Sequence, residues 1–394
     1  MSEWKKVKLG ECISTKKGFA FKSALYTNSG VPVVRVSDFT LDSVSDKELV
    51  YYPQTEKDIY CEYVLNTGDI LIQTVGSWQY NPNSVVGKVV RVPYYHNGSL
   101  LNQNIVKIIP NKDYNNAFLF YRLKCRDFAG HVIGEARGAA NQASITLDTI
   151  KNFRFDCPPI ETQHRIAAIL SRYDSLIENY QKQLKLLEEA AQRLYKEWFV
   201  DLHFPGHENT KIVNGVPEGW KKIPVDSIYS IKYGKNLSTK LITPTGKYPV
   251  YGANGVIGYY DVANCNNQVV LITSRGNGSG DVLMTYHKDA FITNNSFVVS
   301  PLEDYSYCQL PFTYQFLKNA NFKAVRTGAA QPQLTNQSIH TVDVVLPSKD
   351  IIIEYCDIVS YCNKKIVILR NQIRLLTEAR DRLLPKLMSG EIAV

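Results

Sequence analysis

Four stretches of this 394-residue chain carry residue types that could do chemistry, and each fails on spacing, context or residue type. His203 and His207 stand four apart, as a helical metal pair would, but Pro205 and Gly206 between them predict a linker. Ser274–Asp281 (SRGNGSGD) is glycine-rich, yet no βαβ pattern surrounds it, so a strand-connecting loop is expected. Gly76–Lys88 ends in Gly-Lys without the paired glycine that a phosphate-binding loop needs. Cys157–Ile160 (CPPI) lacks the polar first and aromatic last residues of an amino-methyltransferase motif. No Ser-His-Asp or Cys-His set can be assembled without arbitrary choices. The expectation is a chain with no catalytic residues, no metal site and no cofactor of its own.

Binding chemistry is better supplied. Arg and Lys pair with guanine edges, and Asn and Gln with adenine edges, in the major groove of DNA. Two regions have loops rich in these types. The first offers Lys16, Lys17, Lys22, Arg35, Ser37, Gln73, Thr74, Ser77, Gln79, Asn81 and Arg137. The second offers Lys232, Lys235, Asn236, Lys240, Tyr251, Asn254, Ser274, Arg275, Asn277, Asn294, Asn295 and Arg326. Any one of them could be an ordinary solvated loop residue. Their joint occurrence in both regions favours a recognition surface.

The elements that must position them are repeated. Leu187, Glu189, Ala190, Arg193 and Leu194 recur 189 residues on as Leu376, Glu378, Ala379, Arg382 and Leu383; Thr146, Ile150 and Pro158 recur as Thr335, Ile339 and Pro347. Each copy ends in a helical pattern. Ile166, Leu170, Tyr173, Ile177, Tyr180, Leu184, Leu187, Ala191, Leu194 and Trp198 alternate spacings of four and three, a heptad seam. The second copy repeats it at Tyr355, Val359, Cys362, Ile366, Leu369, Ile373, Leu376, Arg380, Leu383 and Leu387. Two matching seams in one chain pair most simply as an antiparallel coiled coil, each helix roughly 60 Å long at 1.5 Å per residue. Pro385 should end or kink the second helix near Leu384. Arg380 on the seam either fixes register or is exposed near the helix end.

Before each helix lie short β-branched and aromatic runs broken by Gly, Pro, Asn and Asp, which predict strand-rich domains. The predicted architecture is α+β, a pseudo-twofold tandem repeat: recognition domain 1–157, spacer helix 158–204, recognition domain 205–346, and spacer helix with tail 347–394. EWKKV at Trp4 matches GWKKI at Trp220, 216 residues apart, whereas the helices match at 189. The length difference therefore falls inside the strand-rich domains.

Bulk composition agrees. The apolar fraction is 44%, no run is long enough to span a membrane, and the N-terminus (MSEWKKVKLGEC) has no apolar core of a signal peptide. The eight cysteines have no regular spacing and read as reduced thiols of a cytoplasmic protein. A net charge of +8 permits nucleic-acid binding. Residues 160–198 balance acids and bases and 348–388 are slightly basic, so the charge is spread thinly. Strong DNA binding would need basic surface from partners.

Gln192–Gly206 (QRLYKEWFVDLHFPG) and Arg380–Ile392 (RDRLLPKLMSGEI) close the two helices; Pro158–Leu170 and Val344–Tyr355 open them; Tyr248–Tyr260 (YPVYGANGVIGYY), Gly138–Gln142 and Gly328–Thr335 lie in the heads. In these stretches the chain resembles the specificity (S) subunit of type I restriction–modification systems over its full length. The resemblance implies a non-catalytic recognition subunit, each strand-rich head reading one half of an asymmetric bipartite site in double-stranded DNA. It implies helices that set the gap and dock two methyltransferase subunits, which bind S-adenosylmethionine and methylate adenine at N6. Two further restriction subunits would use ATP and Mg for translocation and cleavage. The alternatives are a coiled-coil adaptor without DNA specificity and a methyltransferase or nuclease with a cryptic site.

Overall fold

A computed structural model describes residues 4–78, 85–139, 142–328 and 331–394. Contacts divide the chain into two compact units, Met1–Ile177 with Leu375–Val394, and Glu178–Arg374. Each unit combines one strand-rich head with a portion of each long helix.

In the first head a four-stranded antiparallel sheet runs in the order Ile13–Lys17, Ile105–Pro110, Ile70–Gln73, Val89–Arg91. A three-stranded sheet, Val50–Tyr52, Val31–Val34, Leu100–Leu101, contains one parallel pair. Lys5–Lys8 pairs with Arg154–Cys157 and ties the start of the head to its end. The second head repeats all of this. Its four strands are Tyr229–Tyr233, Ser296–Pro301, Val270–Thr273 and Val282–Met284; its three are Gly255–Tyr260, Tyr248–Gly252 and Phe291–Ile292, again with one parallel pair; Lys221–Pro224 closes on Asp343–Leu346. The central strands of both heads read as continuous apolar runs (Ile70, Leu71, Ile72; Val270, Leu271, Ile272) because both their faces are buried.

Residues that recur at the 189 offset have structural duties. Thr146 and Thr335 each cap a short helix, Leu147–Asn152 and Asn336–His340. Their hydroxyls accept from the backbone N–H of Thr149 and Ser338 at 3.1 Å. Ile150 and Ile339 anchor those helices in their cores. Pro158 and Pro347 then lead into helices Ile160–Phe199 and Lys349–Met388, whose two ends are both 189 residues apart.

Within each unit the two helix portions lie antiparallel. In the first, Asp174 meets Arg380, while Ile166 and Leu170 share a core with Leu387 and Met388. In the second, Arg370 meets Glu188, and Tyr195 and Trp198 share a core with Ile352, Tyr355 and Val359. Every expected seam residue is buried or half-buried. Ile166, Leu170, Tyr355 and Leu369 are fully buried; Tyr173, Tyr180, Leu184, Leu187, Ile373 and Leu376 are half-buried, as a two-stranded seam leaves them. Of the expectation that Pro385 ends or kinks the helix near Leu384, the ending is corrected: the helix continues to Met388. So close to the terminus, proline removes one backbone bond, and the Pro385 carbonyl still accepts from Ser389 N–H.

Arg380 is not exposed. Its guanidinium meets Asp174 at 2.8 Å and Asp42 at 2.9 Å with the side chain 11% exposed. Asp174 also takes Arg91 at 3.2 Å and the Tyr121 hydroxyl at 2.5 Å, and Asp42 takes Lys124 at 2.5 Å. Burial favours neutral Arg380, but the flanking carboxylates, Asp42 foremost, outweigh it and raise its pKa. Burial likewise works against charged Asp42; Lys124 and Arg380 overcome that and hold its carboxyl below the usual range.

Candidate nucleic-acid interface

One edge of each head gathers loops that are far apart in sequence. In the second head the loop after Val270–Thr273 is fastened at both ends: Ser274 N–H donates to Asn295 C=O at 2.8 Å and Gly280 N–H to Thr273 C=O at 2.8 Å. Gly276 N–H reaches Pro332 C=O, and Arg275 bridges Gln333. The turn at 253–254 is drawn in by Thr273 Oγ1, which donates to Ala253 C=O at 2.7 Å. Asn294 N–H donates to Lys235 C=O at 3.0 Å. This requires glycine at 234, where a Cβ would lie 2.3 Å from the Thr293 carbonyl oxygen. Lys235, Asn254, Arg275, Asn277, Asn294 and Asn295 thus share one edge, and all but the half-buried asparagines of the 294–295 turn are exposed.

The first head builds the same edge with other residues. Thr74 N–H donates to Asn104 C=O, Gly87 N–H to Gln73 C=O, and Ile145 N–H to Thr74 C=O, bond for bond as at Ser274, Gly280 and Leu334. Gly18 stands for Gly234; a Cβ there would lie 1.9 Å from the Asn102 carbonyl oxygen. Gln103 and Asn104 therefore occupy the places of Asn294 and Asn295. Sequence reading missed them, although Asn102–Asn104 (NQN) is a polar island between strands. The small sheet Arg137–Ala139, Gln142–Ser144 and Val75–Gly76 lies here, with Arg137 exposed.

The remaining candidates range from exposed to fully buried. Lys17, Lys22, Lys232, Asn236 and Lys240 are exposed. Lys16 is half-buried and held by Glu62 at 2.5 Å, a hydrogen bond that raises its pKa. Arg35 grips Asp38 at 2.8 Å and the Glu48 carbonyl at 2.9 Å, and exposed Ser37 donates to Asp38 Oδ1. Four candidates are buried: Gln73, whose Nε2 donates to Val75 C=O; Thr74; Ser274, whose Oγ donates to Asn294 C=O; and Tyr251, hydrogen-bonded to His287 Nδ1 at 2.9 Å. These side chains build the edge from within. Burial raises the Tyr251 pKa and lowers that of His287. Arg326 is half-buried beside the loop that bears Gln333; Ser77 is half-buried and bridges Val85. Gln79 and Asn81 lie outside the described residues.

Among the described residues no cluster of His, Cys, Asp or Glu could hold a metal ion, and no helix is long and apolar enough to cross a membrane. The model of the type I restriction modification DNA specificity domain matches residues 1–189 and 217–378. The chain belongs to this family. It is similar to the type I restriction enzyme MjaIX specificity subunit of Methanocaldococcus jannaschii, 24% identical over 94% of this chain and 88% of that one. It is also similar to the HindI specificity subunit of Haemophilus influenzae, 22% identical over the full length of both. Among solved structures, the S subunit of a type I system from M. genitalium shares the fold, with a TM-score of 0.57 at 19% identity, covering 98% of this chain and 96% of that one. A type I specificity chain recognises target DNA and acts with partner subunits. The paired edges are the surfaces on which these heads carry groove-reading residue types.

Proposed function

We propose that each head reads one half of a bipartite DNA site through its gathered edge, and that the long helices set the gap between the halves. The observation that carries this reading is the pairing of one scaffold with two different surfaces. The same backbone bond, from Thr74 in one head and Ser274 in the other, holds the turns that bear Gln103 and Asn104, and Asn294 and Asn295, while Phe19 and Val75 stand where the second head has Lys235 and Arg275. Different side chains in equivalent places read different bases, so the site is asymmetric. Lys17, Arg137, Lys235 and Arg275 make no ion pair among the described residues and remain available to DNA.

The helices also dock two methyltransferase subunits. Leu186 and Leu375, equivalent at the 189 offset, are 65% and 49% exposed, and Tyr361 is 73% exposed. Apolar side chains at solvent-facing helix positions suit a partner helix. The partners bring S-adenosylmethionine and the N6-adenine transfer; a flipped adenine is needed because the reacting atom is inaccessible in the stack. Restriction subunits, where present, bring ATP- and Mg-dependent translocation and cleavage, and the complex works in the cytoplasm. Methylome mapping of a host expressing this chain with its methyltransferase tests the reading. Two dissimilar half-sites at one fixed gap support it; a single continuous site, or no methylation dependent on this chain, overturns it.

A further inference from the structure

The internal repeat allows the two units to be compared side chain for side chain beside their helices, and there they differ in a way the DNA reading does not use. At the 189 offset, Arg380 and Asp174 of the first unit correspond to Ala191 and Asn363 of the second. Strand register adds a third pair. Arg91 sits opposite Ile70 and Met284 opposite Val270, so Arg91 corresponds to Met284. Helices Asn116–Leu123 and Leu310–Asn319 align on buried Phe118 and Phe312, which matches Tyr121 to Gln315. Asp42 belongs to a long loop between Val31–Val34 and Val50–Tyr52, which the second head replaces with the short turn 253–254. Arg380, Asp174, Arg91 and Tyr121 of the first unit's cluster are thus replaced by Ala191, Asn363, Met284 and Gln315, the Asp42 loop is absent, and of the charged groups only Lys124 keeps a charged counterpart, Lys318.

What stands in its place is a cavity of about 160 Å³, lined by Ala191, Met284, Gln315 and Asn363 together with aromatic walls that include Tyr286 and Tyr314. Gln315 is only 5% exposed, and its Oε1 has no hydrogen-bond partner. Buried amide oxygens are nearly always paired, so this one marks a place for a donor. Lys185, Glu188, Glu189 and Lys318 also line the cavity, with Lys318 over the Tyr314 ring at 5.6 Å. Arg370 lies over the Tyr286 ring at 3.7 Å and pairs with Glu188 at 2.6 Å. Burial keeps Tyr286 a neutral phenol, its pKa pushed up to about 12. Cavities of about 150 Å³ accept a benzene-sized ring.

We propose that this cavity in the second unit is a ligand site for an uncharged planar ring bearing a hydrogen-bond donor, of indole or nucleobase size, held between tyrosine walls with its donor on Gln315 Oε1. The first unit cannot take such a ligand, because Arg380 and its partners fill the corresponding space. The site is independent of how the heads read DNA.

Calorimetric titration of the full chain with indole, and with benzofuran as the ring lacking the N–H, tests this. One saturable indole site is expected, with indole preferred at least fivefold. Ala191→Arg, which restores the first unit's side chain, and the milder Ala191→Leu should each weaken indole at least tenfold; the second variant serves if the first does not fold. Gln315→Leu should abolish the preference for indole over benzofuran. Absence of saturable binding, full binding by a folded Ala191→Leu chain, or an undiminished preference in Gln315→Leu would overturn the proposal.

Discussion

Replacing Arg380 by Met removes the centre of the ionic cluster while keeping an apolar stem of similar length. Breaking a buried ion pair by deleting one partner costs about 3–5 kcal/mol. Here the stranded carboxylates are not abandoned. Asp42 keeps Lys124 at 2.5 Å, and Asp174 keeps Arg91 at 3.2 Å and Tyr121 at 2.5 Å. Asp42 is also 27% exposed, so water recovers part of its solvation. The expected loss is therefore about 2–3 kcal/mol, or about 5–10 °C in the melting temperature of a unit this size. The pH dependence carries a sign. Asp42's folded pKa lies below its ordinary 3.8, so its contribution is fully present above that value and is lost as pH falls through the folded value. In Arg380→Met the depression shrinks, so the acid-linked loss should be smaller than in the parent and complete at higher pH. Denaturant melts at pH 7 and down to pH 3, for Arg380→Met, Asp42→Asn and the double variant, measure both effects. A loss under about 0.5 kcal/mol, or strictly additive single effects, would refute the claim that Arg380 is a buried seam residue coupled to the head.

Other outcomes follow from the same geometry. Leu369→Ala, fully buried, should cost about 2–4 kcal/mol, and Leu376→Ala, half-buried, about 1 kcal/mol, measured by denaturant melts; equal costs would contradict the seam's uneven burial. Gly234→Ala forces a Cβ against the Thr293 carbonyl and should blur reading of one half-site, whereas Gly18→Ala should blur only the other, as seen in methylome maps. Arg275→Ala should relax one half-site by about 1–3 kcal/mol in competition binding with the partner methyltransferase present, and leave the other half unchanged. Shortening both long helices by one heptad should change the permitted gap or abolish methylation while each head keeps its half-site; an unaltered gap would refute the spacer role.

The seam was legible because its period is fixed by helix geometry and because the 189-residue repeat shows it twice. Thr146 and Thr335 were legible as a match, but only the structure reveals them as helix caps. The edge proposed to read DNA was legible in part. Lys235, Asn254, Arg275, Asn277, Asn294 and Asn295 are brought together, yet Gln103 and Asn104 were missed. The offset between heads drifts from 216 to 189 through unequal loops, and strand register is needed to find equivalents. Gln73, Thr74, Tyr251 and Ser274 were read by residue type, which carries no information about burial. Their polar groups are satisfied by bonds within the head that residue type does not foretell. Pro385 misled because helix breaking is a rule for interiors, and one turn from a terminus the cost falls. Arg380 was ambiguous because its partner Asp42 comes from a loop over three hundred residues earlier.

The most direct measurement of the central claim is methylome sequencing of the parent chain beside a variant whose residues 275–279 carry a different loop, each expressed with the same methyltransferase. The account predicts one half-site altered, with the other half and the gap retained. Changes in both halves, or in neither, would contradict it.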